Sequence, residues 1–125
     1  MKTVIATTAA PGAIGPYSQA IEAGGFVFVS GQIPLDPATG AFVPGGVEEQ
    51  AEQSLRNLKA VLAGAGCTLG DVVKTTVFIA DMNDFPKVNE VYKKYFCEPF
   101  PARSCVAIKS LPLGAQVEVE AIAAL

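Results

Sequence analysis

The sequence predicts an α+β domain, in which two helices cover one face of a mainly antiparallel sheet. Six short segments are rich in β-branched and aromatic residues, and two longer segments carry apolar residues at helical spacing. The elements follow the order β-β-β-α-β-α-β-β. Two helices can cover only one face of such a sheet, and several strands are apolar on both faces, so we expect a homo-oligomer to cover the second face.

Three strands open the chain. Residues 3–6 are β-prone, and residues 17–22 favour a strand that Gly24-Gly25 closes as a hairpin. Residues 26–33 (FVFVSGQI) predict a strong strand, because aromatic and β-branched residues alternate there. The prolines and glycine of residues 34–40 then predict a turn.

Both helices are predicted from the spacing of apolar residues. The first follows Gly45-Gly46 and ends near Gly64. Its apolar stripe steps by four, four, three and four residues, through Val47, Ala51, Leu55, Leu58 and Leu62. After a strand over residues 72–80, the second helix begins at a cap on Asn83 or Asp84 and runs to about residue 96. Its apolar stripe comprises Phe85, Val88, Tyr92 and Phe96.

Asn89 borders or joins the apolar stripe of the second helix. A polar amide at such a position needs hydrogen-bond partners. The helix alone favours neither of two interpretations: an asparagine bonded to backbone, or one that contacts a ligand.

The strand over residues 102–109 carries a guanidinium and a thiol side by side. Strand alternation places Arg103 and Cys105 on one face. A mostly apolar set that suits the core lies on the other face: Ser104, Val106 and Ile108. Arg103 could hold a carboxylate or phosphate through two parallel hydrogen bonds, although the strand by itself favours an ordinary surface arginine.

The last strand, residues 117–124, places Glu118 and Glu120 on one face. Its short connection to residues 102–109 predicts that the two strands pair as antiparallel neighbours. That pairing would bring one or both glutamates near Arg103. The alternative interpretation is a solvated edge with a surface ion pair, which contributes little to stability.

Composition limits the function classes. A chain of 125 residues is long enough for a core, and we expect a single domain over residues 1–125. Half of the residues are hydrophobic and only 17% are charged, which favours coverage by partner subunits. The net charge of −3, without a basic cluster, makes nucleic acid a poor partner. We expect no membrane partner and no secretion, because neither a spanning apolar run nor a signal-peptide core is present.

The cysteine and histidine content narrows the chemistry. Cys67, Cys97 and Cys105 form no CxxC pair, and their odd number favours a reducing, cytoplasmic setting. The absence of histidine excludes Ser-His-Asp and Cys-His catalysis and His-ligated zinc, and we expect no metal site. Because no histidine can activate it, Cys105 is interpreted as a pocket wall and not as a nucleophile.

Five segments together resemble the Rid (YjgF-type) family, specifically its branch of enamine/imine deaminases. They cover nearly the whole chain in order: AIGPYSQAI (13–21), VSGQIPLDPATG (29–40), VKTTVFIADMNDFPKVNEVY (73–92), FPARSCV (100–106) and VEVEAIA (117–123). The resemblance implies a chorismate-mutase-like α+β fold. It also implies a homotrimer whose sheets pack around a central barrel, with ligand pockets between neighbouring subunits.

The resemblance implies a reaction as well: hydrolysis of 2-iminopropanoate and 2-iminobutanoate to 2-keto acids and ammonia, without a cofactor. Arg103 would hold the substrate carboxylate, and Glu118 would position or activate water. Spacing alone leaves Glu118 and Glu120 equivalent, and only the register of the resemblance selects Glu118. The rest of the pocket would be lined by Tyr17, Ser30, Gly31, Asn89 and Cys105.

Two other function classes remain open at this point. A non-catalytic trimer could sense small carboxylic metabolites through the same Arg103 pocket, but such a binder needs no acid opposite the arginine. Ribonuclease and chaperone-like activities have been attached to members of the family. The acidic balance and the missing histidine disfavour ribonuclease chemistry.

Overall fold

Six strands form a single sheet in the computed structural model, which describes all of residues 1–125. The strands are β1 (Thr3–Ile5), β2 (Ala20–Ala23), β3 (Phe26–Gln32), β4 (Val72–Ile79), β5 (Ala102–Ala107) and β6 (Val117–Ala124). Their spatial order is β1-β2-β3-β6-β4-β5, and every neighbouring pair is antiparallel except β4 with β5. The predicted α+β class and mainly antiparallel sheet are confirmed.

Two helices pack on the sheet, α1 (Val47–Gly64) and α2 (Phe85–Tyr95). The backbone N–H of Gly46 donates to Glu49 Oε1 at 2.8 Å, which satisfies a donor at the start of α1. Gly66 follows the last turn with φ of +76°, a conformation that glycine adopts without steric cost. Asp84 is the N-cap residue of α2, and Pro86 lies in the first turn, where a missing N–H is tolerated.

The core lies between the helices and one face of the sheet. All five residues of the predicted α1 stripe are buried there, as are Val88, Tyr92 and Phe96 of the α2 stripe. Phe85 is only partly buried, because it packs at the margin of this core. From the sheet, β6 contributes every second residue to the core, which makes it a central strand: Val117, Val119, Ala121 and Ala123.

The predicted pairing of β5 with β6 is wrong. β6 lies between β3 and β4, and β4 separates it from β5. The connection β4–α2–β5 is a crossover that sets β5 parallel to β4, as the register from Lys74 opposite Ala102 to Ile79 opposite Ala107 shows. β6, whose residues on the helix side are all apolar and buried, fills the central position. β5 lies at the edge, and only its Cys105 contacts the core.

The predicted core face of β5 is also wrong. Cys105 packs against the core, whereas Val106 is 41% exposed on the opposite, uncovered face. The reason is that α2 covers the Arg103 side of β5. The same uncovered face carries Phe26 and Phe28, which are 42% and 44% exposed.

Neither helix is both long enough and apolar enough to cross a membrane.

Candidate functional site

Arg103 lies in a cleft of about 590 Å³ between β5 and α2. Its Nη1 donates to Oδ1 of Asn89 at 2.8 Å. The guanidinium carbon lies 4.8 Å from the ring centroid of Tyr92 and 5.5 Å from that of Phe85, within cation–π range. Arg103 takes part in neither ion pair of the structure. Uncharged groups therefore orient the guanidinium and leave most of its five donors for an anion.

The sequence of α2 explains why these groups meet. Phe85, Asn89 and Tyr92 are spaced by four and three residues, so they share one helical face. The hydroxyl groups of Tyr92 and Thr75 form a buried hydrogen bond of 2.9 Å, which holds α2 against β4. Thr75 lies opposite Arg103 in the β4–β5 register. Burial raises the pKa of the Tyr92 phenol. The hydrogen bond to Thr75 and the charge of Arg103 lower this pKa by less, so the phenol stays neutral.

Cys105 follows Arg103 on the same face and packs against the core. Burial raises the pKa of the Cys105 thiol, and the positive charge of Arg103 only partly offsets this effect. A thiol with a raised pKa is a poor nucleophile at neutral pH. The raised pKa argues against Cys105 as a nucleophile. Its interpretation as a pocket wall stays a prediction, because Cys105 is not among the residues that line the Arg103 cleft.

Glu118 lies in a second cleft, of about 660 Å³, on the other side of the sheet. Its carboxyl group packs against Gly31: a Cβ atom placed on Gly31 would lie 2.7 Å from Cδ of Glu118. Only glycine leaves room for the carboxylate in this position. Burial raises the pKa of Glu118, and the negative charge of Glu120 raises it further.

Ser30 and Tyr17 complete the predicted set around Glu118. Ser30 Oγ donates to the carbonyl oxygen of Ser18 at 2.6 Å, and Ser30 N–H donates to that of Gln19 at 3.0 Å. These bonds attach the loop that carries Tyr17 to β3. Tyr17 is 54% exposed at the mouth of the cleft, and its hydroxyl accepts a 3.4 Å hydrogen bond from Ile14 N–H.

The single chain therefore divides the predicted site residues into two groups. The arginine half-site comprises Arg103 and Asn89, with Cys105 next to Arg103 on the same face of β5. The glutamate half-site comprises Tyr17, Ser30, Gly31 and Glu118. Strand β4 lies between Arg103 and Glu118, and two interstrand spacings amount to about 10 Å. The two side chains also point to opposite faces of the sheet. A small ligand cannot touch both side chains within this single chain.

Sequence reasoning missed several neighbours of these groups. Phe85 and Tyr92 were assigned to the core, although both also contact the Arg103 guanidinium. Their spacing around Asn89 was the available signal. Pro112 and Leu113 line the glutamate half-site. Their position in the turn directly before the glutamate strand was the signal there.

No cluster of three or more cysteine, aspartate or glutamate side chains is arranged to hold a metal ion.

Comparison with known proteins places this geometry in a family. The family model described as endoribonuclease L-PSP matches residues 7–125. A mouse protein named 2-iminobutanoate/2-iminopropanoate deaminase is 54% identical over 123 residues, which cover 98% of this chain and 91% of the mouse protein. The human protein of the same name is 51% identical over 98% of this chain and 90% of its own length. A RutC family protein of Pyrococcus horikoshii is 55% identical over 98% of both chains.

Solved structures agree with these relatives. The crystal structure of Escherichia coli TdcF with bound serine superposes with a TM-score of 0.93 at 50% identity, covering 98% of both chains. That of YyfA, a Rid family protein of Yersinia pestis, gives a TM-score of 0.97 at 50% identity over 100% of both chains. On the family model, these relatives and these structures, the chain belongs to the Rid (YjgF-type) family.

Proposed function

We propose that this protein hydrolyses small 2-imino acids, such as 2-iminopropanoate and 2-iminobutanoate, to 2-keto acids and ammonia. The observation that carries the proposal is the pair of half-sites: an oriented guanidinium without an acidic partner, and a half-buried carboxylate with a raised pKa. The names of the mouse and human relatives support this substrate class. Three free cysteines suit a reducing compartment such as the cytoplasm.

The active pocket forms between neighbouring subunits of a homotrimer. Arg103 and Glu118 lie on opposite faces of one sheet, so only a second subunit can supply the missing half to a small substrate. The uncovered sheet face supports association, since Phe26, Phe28 and Val106 are each more than 40% exposed there. Packing of this face around a threefold axis would bury these side chains. It would also bring the arginine half-site of one subunit next to the glutamate half-site of its neighbour.

Arg103 binds the substrate carboxylate through two parallel hydrogen bonds. Asn89 and the rings of Phe85 and Tyr92 hold the guanidinium before the substrate arrives, which lowers the entropic cost of binding. Cys105 forms the wall beside the carboxylate. The imine carbon next to that carboxylate then faces the neighbouring subunit.

Glu118 acts on the water molecule that attacks this carbon. The ionised carboxylate takes a proton from the water as the C–O bond forms, and gives the tetrahedral carbinolamine. The protonated Glu118 returns that proton to the nitrogen, and the C–N bond then breaks. As ammonia leaves, the hydroxyl group of the carbinolamine gives its proton to the Glu118 carboxylate and becomes the carbonyl group of the 2-keto acid. Glu118 passes this proton to the ammonia, which departs as ammonium. The protonated imine carbon is already electrophilic, so this sequence requires no cofactor. Gly31 leaves room for the carboxylate, while Ser30 and Tyr17 close the pocket around it.

A coupled assay tests the proposal. A serine/threonine dehydratase generates the imino acids, and release of the 2-keto acid is compared with and without this protein, against spontaneous hydrolysis. Arg103→Ala should lower kcat/KM by about 100-fold, because two charge-assisted hydrogen bonds to the carboxylate are lost. Arg56→Ala is the matched control, since Arg56 is the only other arginine and is paired with Glu52 on the surface of α1.

Two results would overturn the proposal. The first is that the parent protein does not raise the rate of 2-keto acid release above the spontaneous rate. The other is an Arg103→Ala variant as active as Arg56→Ala, which would remove the carboxylate role of Arg103.

A non-catalytic carboxylate binder is the second candidate. The unpaired guanidinium in its cleft would serve such a binder equally well, and a related protein was crystallised with bound serine. This candidate predicts that 2-keto acids raise the Tm in an Arg103-dependent manner while no imino acid is turned over. The name of the family model adds endoribonuclease activity as a less favoured candidate, which an RNA-cleavage assay on the Arg103→Ala and Glu118→Gln variants would examine.

A further inference from the structure

Leu113 is the one non-glycine residue of the chain with a positive φ, at +58° with ψ of 19°. A left-handed conformation is disfavoured for residues with a Cβ atom, and glycine or asparagine would occupy it at lower cost. Its side chain is 75% exposed, so burial in the core of the subunit does not explain the choice of leucine. Strained backbone of this kind concentrates at ligand-binding positions.

The turn that carries Leu113 is held firmly. Leu111 and Ala115, on either side, are buried at 6% and 2% exposure. The N–H of Gln116 donates to Oε1 of the buried Gln50 at 2.8 Å, which ties the turn to α1. Leu113 is therefore presented by a rigid support and not by a loose loop.

The side chain of Leu113 lines the same cleft as Glu118 and Gly31. Other aliphatic side chains line this cleft as well: Ile14, Ile33 and Leu35. The cleft around Arg103 instead combines its polar and charged lining with Pro86, Pro101 and aromatic rings. When a 2-imino acid places its carboxylate on Arg103 and its reacting carbon near Glu118, its alkyl group points into the glutamate cleft. There it contacts the aliphatic residues that line the cleft.

We propose that Leu113 forms the wall that contacts the side chain of the 2-imino acid and sets the preference for its length. This inference rests on the proposed function. Each methylene group buried against the wall should raise kcat/KM by about fourfold, the factor that corresponds to the transfer of one CH₂ out of water.

The test compares three substrates in the parent and in two variants. An amino-acid oxidase generates 2-iminopropanoate, 2-iminobutanoate and 2-iminopentanoate, and kcat/KM is measured for each. In the parent, kcat/KM should rise about fourfold per added methylene. In Leu113→Gly, which suits the positive φ and removes the wall, the rise should fall below about twofold per methylene. Leu113→Met should restore most of the parental rise, because it returns an apolar side chain of similar size.

Leu125→Ala is the control variant. Leu125 is 60% exposed and directly follows the last residue of β6, seven residues beyond Glu118 and about 23 Å away. The kcat/KM of Leu125→Ala should depend on substrate length as that of the parent does. An unchanged dependence in Leu113→Gly would overturn the inference. So would dissociation of the Leu113→Gly oligomer in sedimentation, since Leu113 would then serve subunit contact.

Product analogues separate failure of this inference from failure of the proposed function. The Kd values of pyruvate, 2-oxobutanoate and 2-oxopentanoate are measured by calorimetry for the parent and Leu113→Gly. If the parent turns over no imino acid, the proposed function fails. The wall is then supported if the Kd values improve with chain length in the parent only, and is overturned if both proteins show the same trend.

Discussion

At the scale of single residues, Arg103 takes its direction from uncharged neighbours. Asn89 accepts its hydrogen bond, and Phe85 and Tyr92 lie beneath its guanidinium. An acidic partner would have neutralised it, whereas an amide and two rings leave its charge available. The sequence could suggest Arg103 and Asn89 as partners of a site, but the contact between them depends on the distance between α2 and β5. That distance is set by the packing of Tyr92 on Thr75.

The pKa of Glu118 sets a pH dependence at the same scale. Burial and then the negative charge of Glu120 raise this pKa above its ordinary value. The proposed reaction needs the ionised carboxylate, so kcat/KM should fall as the pH drops through the raised pKa. The side chains around it on the neighbouring strands, Phe78 opposite on β4 and Ser30 on β3, carry no charge.

Glu120→Gln tests this dependence. Removing the negative charge lowers the pKa of Glu118, so the acid limb of the kcat/KM profile should move to lower pH. Glu48→Gln, an exposed carboxylate in the first turn of α1, should leave the limb in place. A limb that stays in place, or moves to higher pH, in Glu120→Gln would show that Glu118 is not the titrating base.

At the scale of elements, the spacing of apolar residues predicted both helices, and β-prone composition with turn signals predicted the six strands. Their ends lie within a few residues of those observed. Strand order was not predictable in the same way. Local sequence suggested that β5 and β6 pair because their connection is short, yet β6 lies between β3 and β4. The strand order depends on which strand buries the most apolar surface at the centre of the sheet. β6 takes the central position because every second residue of this strand is buried against the helices.

Gln19 holds the loop of the glutamate half-site. Its side chain is nearly buried, accepts from Thr7 N–H at 2.7 Å, and donates to the carbonyl oxygens of Thr7 and Pro11 at 3.0 and 2.8 Å. Tyr17 lies within the loop that these bonds close. The sequence gives no sign of this role, because a glutamine beside a strand is ordinary.

Replacement of Gln19 by leucine should lower the free energy of unfolding by about 2–3 kcal/mol, since buried polar groups lose their partners. Denaturant unfolding measures this loss. Gln116→Leu is the matched control and should cost less than about 1 kcal/mol, because the hydrogen bond of this partly buried glutamine to Gln50 comes from its backbone and not from its side chain. Equal losses in the two variants would contradict the role of Gln19.

At the scale of the whole molecule, one face of the sheet lacks a covering layer. The sequence anticipated this, because strands that are apolar on both faces exceed what two helices can cover. It could not show that Arg103 and Glu118 lie on opposite sides of the sheet, since that depends on strand order. The separation of the two half-sites is what makes assembly and activity inseparable in the proposed function.

A charge on the uncovered face should therefore disrupt both properties. Phe28→Glu places a carboxylate among the apolar side chains of this face, where burial against a partner would leave it unpaired. Sedimentation should show a smaller species than the parent, and imine hydrolysis should fall to the spontaneous rate. A Phe28→Glu protein that is monomeric and fully active would place the whole site within one subunit.

Subunit complementation tests the central claim most directly. Arg103→Ala and Glu118→Gln are each prepared as homo-oligomers whose activity is at most about a hundredth of the parental value. The two are then unfolded, mixed in equal amounts and refolded together. If each pocket takes Arg103 from one subunit and Glu118 from its neighbour, random assembly gives about a quarter of the pockets both intact residues. The mixture should then recover about a quarter of the parental activity. A mixture that stays as inactive as either variant alone would contradict a site shared between subunits.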